Sequence, residues 1–184
     1  MDERELDGIR DALRAASGLQ EEDIGKSLIG EHDASNLFAR LIKEEIPCWK
    51  YYDTPDHVAF LTPYPNTTGY SCVIPKRYFS SDILAMAEEP YRQLLSAGWK
   101  VAQLFKQVFH VKQVGFIMEG YEINHAHLKV VPIFGVNSAG QEEVWFTQYS
   151  GYLTTQKGQR VDGPTEEKLQ RLSMSLRSKL AVAG

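Results

Sequence analysis

Hydrophobic and polar positions follow two rhythms along this chain, and the changes of rhythm divide it into elements. Leu6, Ile9, Leu13 and Ala16 recur at helical spacing up to Gly18, which predicts an amphipathic N-terminal helix. A polar connector runs from Leu19 to Ala34. Ser35 or Asn36 can cap the next helix, NLFARLIKEE, in which Leu37, Phe38, Leu41 and Ile42 form one apolar stripe and Pro47 supplies the stop. The period then falls to two. CWKYYD and HVAFL read as strands around a turn at Asp53 to Asp56, and YSCVIP reads as a third after the loop TPYPNTTG. Ser80, Ser81 and Asp82 mark a short helical turn. EEPYRQLLSAGWKVAQLFKQVF returns to helical spacing, with Pro90 in the first turn and Tyr91, Leu94, Leu95, Val101, Ala102, Phe105 and Val108 on its buried face. QVGFIME and INHAHLKVVPIF predict strands joined through Gly120, EVWFTQY predicts another, and Leu169, Leu172, Leu176 and Leu180 line a closing helix. Strands on both sides of one long helix predict an α+β fold with a largely antiparallel sheet.

The expected organisation is a helical extension over residues 1–34, a central domain over 35–134, and a C-terminal strand and helix over 135–184 packing on it. Each terminal helix carries a single apolar stripe, which suits packing on the parent domain and also suits docking of a partner. A chain of 184 residues, 43% hydrophobic, can bury one substantial core. Its formal net charge of −4 opposes binding to duplex nucleic acid, although a local basic patch can still hold a small phosphate ligand. No apolar run approaches the roughly 18 residues of a membrane span, and MDERELDGIRDALRAASG is acidic where a leader would be basic. Cys48 and Cys72 do not make a disulfide framework, so a reducing, cytoplasmic setting is expected.

The densest chemistry lies in GYEINHAHLKVVPIF, Gly120 to Phe134, which holds two of the five histidines in the chain. On a strand, His125, His127 and Lys129 share one face, about 6.6 Å apart, while Ala126, Leu128 and Val130 point to the other. Three readings fit. A zinc site needs at least a third protein ligand, and no HExxH, CxxC or carboxylate–histidine cluster supplies it. Both histidines can also be ordinary strand residues satisfied by backbone. The third reading is nucleophilic catalysis on phosphorus, in which a neutral imidazole attacks and splits one phosphoryl transfer into two. Lys129 then supplies charge to the phosphoryl oxygens. It also disfavours protonation of His127, by about 2.4 kcal/mol at about 7 Å and an effective dielectric of about 20. No GxxxxGK[ST] run offers another phosphate cradle.

HAHLKVVP resembles the His-φ-His-φ-His-φ-φ motif of the histidine triad (HIT) superfamily, with Lys129 where the third triad histidine stands. The likeness extends upstream. NLFARLIKEEIPCWKYYDTPDHVAFLTPYPNTTGYSCVIPKRY, Asn36 to Tyr78, is similar to the amino-terminal half of HIT proteins, with EIP, AFL and VIPKR in order. Residues 36 to 134 are covered in all. The resemblance implies a five-stranded antiparallel sheet with one long helix packed on it, usually dimerising into a ten-stranded sheet, and makes 35–134 the catalytic domain. It implies a hydrolase or transferase acting on nucleotide α-phosphates through a nucleotidyl-histidine, with dinucleoside polyphosphates or nucleoside phosphoramidates as substrate classes. The covalent step implies no metal and no other cofactor. A homodimer and a nucleotide-containing small molecule are the expected partners.

Residue by residue, the resemblance makes His127 the nucleophile and gives His125 the place of the first triad histidine, which helps to position and polarise the site. Leu37, Phe38, Leu41 and Phe60 match positions that surround the base, although a helix stripe and a strand aromatic are core by default. The chain departs from the pattern at several positions. Lys129 can stabilise phosphate charge but is a poor proton relay near neutral pH, its reference pKa being about 10.4. Thr62 stands where many members have an aspartate that grips the ribose hydroxyls. Tyr70 occupies the place of an upstream fourth histidine, and Tyr121 and Glu122 replace a small polar pair. Glu122 lies on the opposite strand parity from His125: a solvent-exposed position is the expectation, with the Gly120 turn as the one route to the site. These departures motivate a second expectation, a nucleotide-binding module impaired in catalysis.

Overall fold

A capping box starts the first helix: the Asp2 carboxylate accepts from the Glu5 amide at 2.9 Å, and the Glu5 carboxylate accepts from the Asp2 amide at 2.7 Å. That helix, α1 (Glu3–Ser17), ends at Gly18 in the left-handed conformation, φ 74°. The computed structural model describes residues 2–65 and 67–134. The chain divides into two compact units, 1–148 and 149–184, and every described residue lies in the first. The expected strand EVWFTQY and the closing helix fall outside the described residues.

The remaining elements are α2 (Leu37–Ile42), β1 (Trp49–Asp53), β2 (His57–Leu61), β3 (Ser71–Pro75), α3 (Glu88–Phe109), β4 (Gln113–Ile117) and β5 (Leu128–Ile133). The strands form one five-stranded sheet in the order β1-β2-β3-β5-β4, and every neighbouring pair is antiparallel. The fold is therefore α+β, as the strand–helix–strand pattern predicts. No described helix is long and apolar enough to cross a membrane.

Strand alternation gives the sheet two apolar faces. Ala59, Leu61, Val73, Leu128 and Val130 pack with Leu94, Ala97, Val101 and Phe105 of α3 and with Leu6 and Leu13 of α1, so α1 belongs to the main core. Gly98 permits the close approach of α3, because a Cβ there would sit 2.2 Å from Leu128 Cδ2. On the opposite face Val58, Phe60, Cys72 and Ile74 pack with Phe38, Leu41 and Ile42 of α2.

Four local expectations need correction. Helix α2 stops at Ile42, well before Pro47: the Ile42 carbonyl accepts from the buried Lys50 ammonium at 2.7 Å, and Glu44 turns left-handed at φ 60°. Leu37 is 41% exposed and leaves the apolar stripe, which Ala39 joins instead. The short turn after Ser80–Asp82 is a 3-10 helix at Ile83–Ala85. Strand β5 begins at Leu128 rather than at Ile123, because the His125 amide bonds back to the Ile123 carbonyl at 2.8 Å and the Ala126 amide to the Phe79 carbonyl at 2.9 Å.

The connector between α1 and α2 is pinned to the sheet. The Gly25 amide donates to the Asp53 carboxylate at 3.1 Å, and the Ile29 amide donates to the Lys76 carbonyl at 3.0 Å beside a parallel bridge from Ile29 to Arg77. Asp53 and the buried Lys76 form an ion pair at the same place.

Candidate functional site

Asn36 sets the geometry of the α2 face. Its side-chain oxygen caps α2 by accepting from the Phe38 and Ala39 amides at 3.0 and 3.3 Å, and its amide nitrogen donates to the Asn124 carbonyl at 3.0 Å. One side chain therefore starts the helix and fastens the residue before His125. Asn124 in turn accepts from the Ser81 amide at 3.1 Å. Gly120 makes room for this loop: its φ is 68°, and a Cβ would lie 2.5 Å from the Ser81 carbonyl oxygen.

Although β5 starts late, the alternation expected of the motif persists. Ala126, Leu128 and Val130 enter the α3 core, while Lys129 lies opposite Cys72 on the α2 face. The capped α2 places the Phe38 ring against both imidazoles, with centroids 5.8 Å from His125 and 5.2 Å from His127, and 5.8 Å from Phe60. Phe38, Phe60 and Leu41 are buried at this face, whereas Leu37 is exposed.

The hydrogen bonds fix both imidazole tautomers. His127 Nδ1 lies 2.8 Å from the His125 carbonyl oxygen, which can only accept, so in the neutral ring Nδ1 carries the proton and the lone pair falls on Nε2. His125 Nε2 donates to the Pro75 carbonyl at 2.9 Å, which leaves the Nδ1 lone pair buried without a hydrogen-bond partner. Burial pushes the His125 pKa down to about 4, with the Pro75 bond opposing and His32 and His127 adding to the fall. His125 is thus neutral near pH 7 and contributes shape and a fixed donor rather than charge.

Lys129 pairs with the carboxylate of Glu119, and the two side chains are 15% and 8% exposed. Burial lowers the Lys129 pKa. Thr62 and Tyr70 stand at the other end of the face. Leu61 pairs with Ser71, whereas His125 reaches Pro75 four residues further along β3. Thr62 is partly exposed and accepts from the Tyr64 amide at 3.2 Å, and Tyr70 is buried. Glu122 is exposed, yet near enough to raise the Cys72 thiol slightly; burial is the main reason that thiol stands at about 12. Among the described residues no group of three or more His, Cys, Asp or Glu is placed to hold a metal.

Three residues at this site carry no mark in the motif. His32, from the connector, stacks on His125 with centroids 6.1 Å apart and planes at 22°. Tyr78 meets His125 edge-on at 5.7 Å. Glu119 is the third. Ile117 pairs with Lys129, and Glu119, two residues beyond the end of β4, forms its ion pair with Lys129. Nothing in the connector's aperiodic run signals His32.

The HIT domain profile matches residues 43–135, half of the chain, and the protein belongs to the HIT domain family. Adenosine 5'-monophosphoramidase HNT1 of Saccharomyces cerevisiae is 28% identical over 101 residues, which cover 54% of this chain and 63% of the yeast protein. The chain thus spans somewhat under two thirds of that relative's length. Protein hit of Bacillus subtilis is 26% identical over 156 residues, covering 82% of this chain and 98% of the relative. Two crystal structures share the fold. A Streptococcus mutans UA159 protein matches with a TM-score of 0.59 at 22% identity, covering 83% of this chain and 90% of its own. A HIT family protein of Bacillus anthracis matches at 0.54 and 24%, covering 80% and 99%.

Proposed function

We propose that this protein hydrolyses a nucleotide conjugate at the α-phosphorus through a nucleotidyl intermediate on His127, with a nucleoside phosphoramidate as the preferred substrate class. One observation carries the reading: the bond from His127 Nδ1 to the His125 carbonyl fixes the free lone pair on Nε2, the atom that must attack. In the first step that lone pair forms a bond to phosphorus, and the bond to the leaving group breaks with its electron pair. In the second, water attacks phosphorus and His127 departs with its own pair. The Phe38–Phe60 cluster beside the imidazoles offers an apolar wall for a base.

Charge favours the phosphoramidate over a polyphosphate. With His125 neutral and Lys129 paired to Glu119, the face carries little net positive charge, which suits a singly charged phosphoramidate better than a chain of phosphates. A yeast relative that acts as an adenosine 5'-monophosphoramidase points the same way. The binding-module reading has one observation behind it, the 4% exposure of His127.

The test is turnover of adenosine and guanosine phosphoramidates beside dinucleoside polyphosphates. The expected result is release of nucleoside monophosphate, fastest from the phosphoramidates. His127→Ala should melt normally and lose at least about a thousandfold in rate. Unchanged turnover in that variant rejects the enzyme reading, and binding without turnover in the unmodified protein selects the module. We further propose a homodimer. Among the described residues β4 has a strand neighbour on one side only, and Trp99, Phe116 and Met118 nearby are 59%, 39% and 42% exposed.

A further inference from the structure

We infer that Glu119 holds and resets Lys129 as the proton donor to the leaving group, an assignment that rests on covalent attack by His127. The motif alone leaves Lys129 as a phosphate-binding cation. The structure gives it a different neighbour. Ile117, the last residue of β4, pairs with Lys129, and Glu119, two residues beyond the end of the strand, meets Lys129 on the site face. Its carboxylate forms an ion pair with the Lys129 ammonium, and both side chains are largely withdrawn from water.

A buried carboxylate is an odd companion for a cation meant only to grip phosphate. It repels the phosphoryl oxygens and cancels the charge that would attract them. It does serve a lysine that must give up a proton and recover it. The pair fixes the direction of the ammonium, so that its remaining N–H groups can face the leaving atom. After transfer, the negative charge of Glu119 favours the return of a proton to the Lys129 amine.

The steps balance. As His127 Nε2 bonds to phosphorus, the phosphorus–nitrogen bond of the substrate breaks, and its electron pair stays on the leaving nitrogen. That nitrogen takes a proton from Lys129, which becomes a neutral amine. Water then attacks phosphorus, His127 leaves, and the proton lost by water restores the Lys129 ammonium. The sum is substrate plus water giving nucleotide plus amine. An amine leaving group is about as basic as a lysine, so this transfer is nearly balanced. Lys129 is then a catalytic residue, and Glu119 a positioning residue acting through it.

Leaving-group dependence tests this. Adenosine 5'-phosphoramidate needs a proton on departure, whereas the p-nitrophenyl ester of adenosine 5'-phosphate releases a stable anion. The readout is kcat/KM, which reports the steps up to leaving-group release. Glu119→Gln should lower it about 100-fold more for the phosphoramidate than for the ester. Glu119→Asp should restore part of the phosphoramidate rate, and Lys129→Gln should repeat the selective loss. The ratio of the two substrates does not depend on the fraction of protein that folds. Equal losses on both substrates, or no loss on either, overturn the inference. If the unmodified protein never holds nucleotide on His127, the covalent reading fails first and removes the basis of this one.

Discussion

Acid should weaken this fold through His125 by an amount that can be worked out in advance. In the unfolded chain a histidine titrates near 6.5; in the fold, burial beneath Phe38, Tyr78 and His32 pushes His125 down to about 4. Between those values the unfolded state binds the extra proton and the folded state does not. The stabilising contribution is therefore fully present above the unfolded value and is lost as pH falls towards the folded one. Linkage makes the loss about 2 kcal/mol on going from about pH 7 to about pH 4.5. The assay is urea unfolding at both pH values for the unmodified protein and for His125→Gln, whose side-chain amide can still donate to the Pro75 carbonyl. His57, also held low by burial, and the carboxylates titrate in both proteins and cancel in the comparison. The unmodified protein should lose about 2 kcal/mol more than the variant. Equal losses would mean that His125 titrates normally in the fold, and the neutral, position-setting role given to it would fall.

Other perturbations follow from the same contacts. Asp53→Asn strands the Lys76 ammonium, which is 5% exposed, and should cost about 3–5 kcal/mol in denaturant unfolding; a loss near zero would mean that water reaches the pair. Asn36→Ala removes both cap bonds of α2 and the tie to Asn124, so stability should fall by about 1 kcal/mol and KM should rise. An unchanged KM would separate the cap from the site. Gly98→Ala drives a methyl against the fully buried Leu128, and a loss of about 1–3 kcal/mol in a thermal melt is expected.

The sheet and its long helix were legible because their hydrophobic periods are long and regular. Helix α3 spans the residues its pattern predicts, and the parity of Ala126, Leu128 and Val130 correctly assigns the two faces. What escaped the pattern is local or contributed from a distance. The end of α2 is set by the Lys50 ammonium eight residues beyond Ile42, which no propensity around Pro47 reveals. The late start of β5 comes from a backbone turn at Ile123 and from a bond to Phe79, neither encoded in alternation. At the site, His125, His127 and Lys129 could be read from the motif. Glu119 could not, since it lies beyond the end of β4. Nor could His32, since its place depends on the connector being fastened to Lys76 and Arg77.

The central claim is a bond between phosphorus and His127. Rapid mixing with a nucleoside phosphoramidate labelled in the nucleoside, followed by an alkaline quench that spares phosphorus–nitrogen bonds, allows the labelled residue to be located by peptide mass spectrometry. The expected result is one labelled peptide carrying nucleotide on His127, formed within the first turnover and missing from His127→Asn. Substrate consumed with no histidine labelled, or label found on another residue, would contradict it.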